Sequence, residues 1–512
     1  MSAYDYVVVG GGTAGCVVAA RLSEDPGARV LLVEAGRRDG TDAMSVPAKW
    51  LTLLGSEVDW GFRTVPQAGL DGAVLGYPRG RVLGGSSGIN AMTHLRADRS
   101  SYDRWAAGGA SGWGFDDLLA YFRRAENATG RDPHLRGTNG PLTVEPNVNP
   151  HPAAEAFFAA CRERGYPVSH DLNGFHTEGV CWFDQNIVDG RRQSAADGYL
   201  RPALDRPNLT VLTDATVTGL SFTGTSCTGA RYRHGPSGEF TVEAEREVIL
   251  CAGAIGSPHL LQLSGIGPAD QLRDHGIDVV AQLQGVGANL SDHPLAVVTY
   301  SASRSMALGE HNIVDVVAAC RVDPASTVPD AHMLFLAVPF VPPSRAAPEN
   351  GYAIAYGMLR PHSRGSVRLA TSDPTAPPLI DPAFLTDQRD VDFMVRATRA
   401  ARELGEAHAL QAWRAEEVVP GPGVTSDEDL AAYLRQGIST YFHAAGTCRM
   451  GTGPDAVTDN ELRVHGIDGL RVADASVMPS LPSANTNATV LAIAERAAEL
   501  IRDSASAGSR AG

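Results

Sequence analysis

The sequence predicts an α/β protein of two domains, one Rossmann-like on a mainly parallel sheet and the other an antiparallel sheet covered by helices. Three observations carry this. The run YVVVGGGTAG at 6–15 joins a β-branched strand to glycines 10, 12 and 15 in the G-x-G-x-x-G spacing, and an Ala/Val/Leu-rich helix follows. A chain of 512 residues exceeds what one simple core accommodates. Beyond residue 294 the pattern changes to alternating strands with a long helix.

The first unit is specific in its parts. Gly10 allows the tight turn out of the strand, Gly12 lets backbone approach a pyrophosphate, and Gly15 lets the helix pack on the sheet. A second strand, VLLV at 30–33, ends in Glu34, about 20 residues past the last glycine, where an acid accepts hydrogen bonds from ribose hydroxyls and disfavours a 2′-phosphate. This is a dinucleotide fingerprint, and it makes redox chemistry the leading reading.

Later elements follow in order. A helix runs from about Phe115 to Glu126, and 131–147 reads as loop. Residues 192–200 return to the cofactor domain. Strands are expected at 209–212 and 215–220, a hairpin at 230–242 turning through 235–238, and a buried strand at 247–253 with small residues at its C-terminal end. The second domain carries strands at 331–339, 351–359 and 365–369, then a helix at 390–404. A strand at 470–474 and a helix at 487–503 close the fold, with Asn487 as N-cap and a frayed tail from Ser504.

Composition narrows the function. With 43% apolar and 20% charged residues, the chain reads as an ordinary globular enzyme. A net charge of −15 argues against nucleic acid or an anionic membrane as partner. The seven cysteines form no C-x-x-C pair, so neither a disulfide framework nor a metal site is expected. No signal peptide and no apolar run of about 18 residues is visible. The expectation is a cytoplasmic protein, in which the sequons at Asn127, Asn208, Asn289 and Asn487 carry no meaning.

Five further motifs stand along the chain: PRGRVLGGSSGIN at 78–90, GAIGSPHLLQLSGIG at 253–267, VGANLSDHP at 286–294, HAAGTCRMG at 443–451, and LRVADASVMP at 470–479 running on to Asn485, Thr486 and Asn487. Together they resemble the glucose–methanol–choline (GMC) family of flavin-dependent alcohol oxidoreductases over about residues 4–503. The resemblance implies FAD as cofactor. It implies a discontinuous FAD-binding domain at 1–155, 194–293 and 442–512, with a substrate domain at 156–193 and 294–441.

It places around the cofactor Gly10, Gly12, Thr13, Ala14, Gly15, Glu34, Ala35, Trp60, Val82, Gly84, Gly85, Ser86, Asn90, Ala91, Met92, Val217, Ala252, Gly253, Asp474, Ala475, Asn485 and Thr486. Some members bond the flavin covalently through a histidine just before the Asn90 position; Ile89 stands here, so the FAD is expected to be non-covalent. His94 is out of register and reads as structural.

By the same resemblance His443 is the general base. An alcohol O–H is too weak an acid to ionise at neutral pH, and a placed neutral imidazole accepts its proton as hydride leaves for the flavin. Asn485 matches the second catalytic position and, as an amide, orients the substrate oxygen without titrating. Trp60, Met92, Phe335, Leu336, Tyr441 and Phe442 are candidates for an apolar substrate pocket. Glu310 reads as a solvated surface residue rather than a partner for a cationic head group.

The segments around His443 and at 482–487 look closer to relatives that oxidise aryl and furan alcohols or pyridoxine, which favours a neutral primary alcohol. A choline-type enzyme acting on a cationic alcohol, a hydroxynitrile lyase on the same scaffold, and a flavin-binding protein without turnover are the alternatives. Oxygen and another electron acceptor are both open as the re-oxidant.

Overall fold

The computed structural model describes residues 3–147, 149–235, 238–307, 312–342 and 345–511, except the side chains of residues 3 and 507–511. Pro236 and Ser237 in the expected hairpin turn, Glu310, and Gly512 at the end of the tail lie outside the described residues.

The first layer grows from the apolar runs near the start of the chain. Strand β1 (Ala3–Val9) leads into helix α1 (Thr13–Leu22), and β2 (Val30–Val33) lies parallel beside β1. Helices α2 (Phe115–Ala125) and α3 (Pro152–Glu163) follow, then strand β3 (Gly179–Trp182). Strand β4 (Leu209–Leu212) pairs parallel with β2, and the antiparallel run β5 (Ala215–Thr223), β6 (Ser226–His234) and β7 (Glu239–Leu250) returns parallel to β1. Helix α4 (Gly253–Leu263) starts where β7 ends.

The second layer opens with β8 (Pro294–Ala302), followed by β9 (Val314–Cys320), β10 (Ala331–Leu336) and β11 (Gly351–Met358). Helix α5 (Gln388–Gly405), β12 (Arg414–Val419) and the two-residue β13 (Ser439–Thr440) complete it. The chain then returns to the first sheet as β14 (Leu470–Val472) and ends in α6 (Thr486–Ala511).

The first sheet runs β4-β2-β1-β7-β6-β5, with β14 parallel to β7. Its buried strands are near-continuous Val, Leu and Ile, as expected where both faces of a parallel sheet are covered. The C-terminal ends of β1, β7 and β14 converge, which is where open α/β sheets bind ligands. The second sheet runs β12-β8-β11-β10-β9-β3, with β13 against β8, and every pairing is antiparallel. Helices α3 and α5 pack on one of its faces.

Three local expectations are corrected. Helix α6 continues to Ala511, past Ser504, propagated from the buried turns that carry Leu491, Ile493, Ala494 and Ile501. Asn487 lies inside the first turn of α6, and its Oδ1 accepts from Thr13 Oγ1 at 3.0 Å, so it ties α6 to the glycine loop instead of capping the helix. The segment at 365–369 contributes only Ser366–Arg368, paired with Leu379–Asp381 in a separate two-stranded ladder outside the large sheet.

A buried ionic cluster pins the loop layer between the sheets. Glu126, fully buried, accepts from Arg96 at 2.5 Å, Arg136 at 2.8 Å and the Gly137 amide at 3.0 Å, with His94 Nε2 at 3.2 Å. Arg136 also reaches Asp171 at 2.7 Å and Asp184 at 2.9 Å. Burial raises the Glu126 pKa, but the charge of Arg96 and the His94 and Arg136 contacts outweigh it and hold the carboxyl well below its usual range. Removing one member strands the others without water. Glu126→Ala is expected to cost about 3–5 kcal/mol, read as a large fall in melting temperature, whereas Ala at the exposed Asp116 stays within about 0.5 kcal/mol.

Candidate functional site

A cavity of about 850 Å³ runs from the glycine loop after β1 to the ends of β8, β10 and β11. At one end lie Gly10, Gly12, Thr13 and Ala14, with Glu34 and Ala35 from the end of β2. Two glycine loops form its floor. Gly85, at φ 53°, lies so close that a Cβ there would stand 2.6 Å from Gly12 Cα. Glu34 accepts from the Gly11 amide at 2.6 Å and the Gly36 amide at 2.7 Å, which leaves further lone pairs for hydroxyl donors. Burial pushes its carboxyl up to about 7, against the pull of those two amides.

Asp474, at the end of β14, accepts from the Gly253 amide at 2.8 Å and Ser257 Oγ at 2.5 Å, so it holds the start of α4 against the cavity. Asn90 Oδ1 accepts from Arg192 Nη1 at 2.8 Å and from the Met92 amide at 2.9 Å. With its oxygen committed, the amide of this cavity-lining residue turns Nδ2 out as a donor. The site thus offers backbone amides at a helix start, hydroxyl acceptors and an amide donor. That donor set matches a pyrophosphate-linked dinucleotide.

The other end holds the imidazoles. Phe442 adopts φ 67°, an uncommon value for a large side chain, and turns the chain so that His443 faces the cavity. The His443 amide donates to Asp292 Oδ1 at 2.9 Å, and Thr440 Oγ1 donates to Asp292 Oδ2 at 2.5 Å. His443 Nε2 lies 3.2 Å from Asn485 Nδ2, and its Nδ1 lies 2.9 Å from His293 Nδ1. Tyr441 packs against the His443 ring with centroids 4.3 Å apart, and its hydroxyl is 3.4 Å from His332 Nδ1. Among the described residues, the buried Asn485 Oδ1 has no hydrogen-bond partner and stands as an orphan acceptor in the cavity wall.

Burial, then the charges of His293, His332 and Arg79, drives the His443 pKa well below its ordinary value. His293 is driven down to about 3 by burial and by His332, and His332 to about 3 by burial. All three rings are therefore neutral at pH 7.

Most expected residues line this one cavity, but five do not. Phe335 points to the opposite face of β10, where it packs on Phe157 of α3 at 5.7 Å; alternation along the strand turns Leu334 and Leu336 inward instead. Met92 is 1% exposed and sits in the core. Val82 belongs to a small cluster with Leu53, Val58 and Ile89. Gly84 lies behind Gly85 and donates its amide to the Gly11 carbonyl at 2.7 Å. Gly15 serves packing alone, since a Cβ there would meet the Gly10 carbonyl oxygen at 1.8 Å.

Of the other pocket candidates, Leu336, Tyr441, Phe442 and Trp60 line the cavity. Trp60, 38% exposed and stacked on Phe62 at 5.5 Å, stands at the mouth. Sequence reasoning assigned no role to His293, His332, Asp292 or Arg79. The VGANLSDHP motif was the available signal for two of them, and the parity of β10, which sets His332 in phase with Leu334 and Leu336, was the signal for a third.

Comparison with known proteins agrees with this architecture. Family models described as GMC oxidoreductase match residues 4–295 and 361–494. The mitochondrial choline dehydrogenase of Homo sapiens is 38% identical over 98% of this chain and 90% of its own length. The structure of pyridoxine 4-oxidase from Mesorbium loti superposes with a TM-score of 0.94 at 37% identity, covering 98% of this chain and 99% of that one. A fungal aryl-alcohol oxidase superposes at 0.88 with 28% identity, covering 98% and 99%. The chain belongs to the GMC oxidoreductase family. It is an FAD-dependent alcohol oxidoreductase. Among the described residues, no helix is long and apolar enough to cross a membrane.

The depressed His443 pKa sets a pH dependence. The imidazole gains its proton only as pH falls through a value below 6.5, so the free base is fully present above it. If proton removal falls to this imidazole, a non-ionising alcohol gives an acid limb of kcat/KM below pH 6.5, and a limb centred above 6.5 would contradict that role.

Proposed function

We propose that the enzyme oxidises a neutral primary alcohol, of aryl or furan type, to the aldehyde, with His443 accepting the hydroxyl proton and Asn485 orienting the oxygen. The observation that carries this is the 3.2 Å approach of His443 Nε2 and Asn485 Nδ2 in an otherwise apolar wall of Leu295, Val314, Leu334, Leu336 and Ala355. Among the described residues, the cavity's carboxylates are Glu34 and Asp474, both at the dinucleotide end. Among the described residues, no carboxylate of the cavity lining stands beside His443 to pair with a cationic head group.

The backbone at Gly10–Ala14 and at Gly85–Ser86, the Glu34 carboxylate and the Asn90 amide would hold FAD, and Ile89 at the wall offers no atom for a covalent bond. FAD, when bound, supplies the acceptor for the hydride that leaves the substrate's α-carbon. The chain's own part is proton handling. The substrate hydroxyl takes the place of the Asn485–His443 contact, donates to Nε2 and accepts from Nδ2. Leu334, Leu336 and Tyr441 exclude water, so the neutral imidazole is not pre-protonated. We further propose residues 1–155, 194–293 and 442–512 as the cofactor domain, the remainder as the substrate domain, and a cytoplasmic enzyme with oxygen or another carrier as electron acceptor.

A second reading has its own support. The choline dehydrogenase relative and the aromatic faces of Trp50, Tyr441 and Phe442 favour a quaternary ammonium alcohol held by cation–π contact. Anaerobic mixing with aryl, furan, aliphatic, amino and quaternary-ammonium alcohols separates the two. Bleaching of the flavin band by aryl or furan alcohols is expected, and bleaching by the quaternary alcohol alone replaces the first reading with the second. Product formed with an unchanged band would mean lyase chemistry instead. His443→Ala is expected to slow flavin reduction by about 10²- to 10⁴-fold. Acid precipitation is expected to leave a colourless pellet and a yellow supernatant.

A further inference from the structure

The hydrogen bonds behind His443 form a chain whose protons are fixed by its far end. His293 Nε2 lies 3.1 Å from the Leu359 carbonyl oxygen. A carbonyl only accepts, so Nε2 carries the proton. His293 is fully buried, and no carboxylate contacts its ring among the described residues; the groups around it are His332, His443, Tyr441 and the Leu359 and Pro482 carbonyls. It is therefore the neutral tautomer with a bare Nδ1. That Nδ1 is 2.9 Å from His443 Nδ1, so the proton between them belongs to His443. Asn485 Nδ2, which only donates, closes the chain at His443 Nε2.

We infer that His293 is a positioning residue that holds His443 in the Nδ1–H tautomer, with its Nε2 lone pair directed at the substrate hydroxyl. This deepens the base assignment proposed above and rests on it for its catalytic consequence, though not for the tautomer itself. In the other tautomer His443 would present N–H to the hydroxyl and to Asn485 Nδ2, donor against donor, and no proton could be accepted. The chain ends on a main-chain carbonyl, which cannot take the proton onward. The proton gained at Nε2 therefore stays within the His443–His293 pair until it leaves by the cavity.

The tautomer is read directly on the resting holoenzyme labelled with 15N-histidine, with His443 identified by its loss in His443→Asn. The expected spectrum shows a protonated Nδ1 and a bare Nε2. A proton on Nε2 overturns the inference whatever the activity. His293→Asn keeps an acceptor oxygen near the Nδ1 position and is expected to retain kcat/KM within about threefold. His293→Leu removes the acceptor and is expected to lower kcat by about 10²-fold with KM little changed. Equal kcat in wild type and His293→Leu overturns the positioning role. Full flavin reduction by His443→Ala would instead sink the base assignment, and the resonance pattern of His443 would still decide the tautomer.

Discussion

The antiparallel contact of β13 with β8, locked by Asp292, is the constraint on which the site depends. Pro294 pairs with Thr440 and Leu295 with Ser439, so two segments far apart in the chain leave the second sheet side by side. Asp292 then holds both strands' ends, accepting from Thr440 and from the His443 amide. Its carboxyl is raised by burial, and these bonds, with Arg79 nearby, oppose the rise. This clamp, with the Ser291–Ala445 backbone pair and the Tyr441 amide on the His293 carbonyl, brings His293 and His443 into contact at the apolar end of the cavity.

Burial does the chemical tuning. Three imidazoles share one buried cluster; desolvation keeps each neutral, and repulsion between charged forms adds to it at His293 and His443. The same low-dielectric logic runs in the opposite direction at Glu126, where paired arginines keep a buried carboxylate ionised. The protein separates the two regimes. Arginine and carboxylate charges are concentrated in a structural cluster, whereas the His443 end of the cavity is mainly apolar, with Arg79 and Asp292 as its charged-type neighbours. All seven cysteines are free and buried, and burial raises their pKa values, so they are inert thiols, including Cys251 in the cavity wall.

Legibility followed the range of the interaction. The β1–α1–β2 unit was readable because its turn, helix start and terminal Glu34 are set by glycine spacing within about 30 residues. The site residues around the cofactor came from motifs, and a motif does not say which way each side chain turns. Met92 and Val82 therefore fell into the core, and Gly84 fell behind Gly85. Phe335 against Leu336 is a question of strand parity, decidable only once the register of β10 on β11 is known. Asn487 looked like a cap because a polar residue before an Ala-rich run usually is one; a long-range bond to Thr13 took it instead.

What the sequence by itself determined is the dinucleotide unit and the two-layer architecture, because local spacing and recurring motifs encode them; it also singled out His443, which the fold sets in the cavity wall. What only the tertiary structure decided is which ring nitrogen of that histidine is bare. The answer lies with His293, 150 positions earlier, and with the carbonyl of Leu359 in a third segment. A proton's location in a buried chain is set by the group at its end, and only folding brings that end into reach.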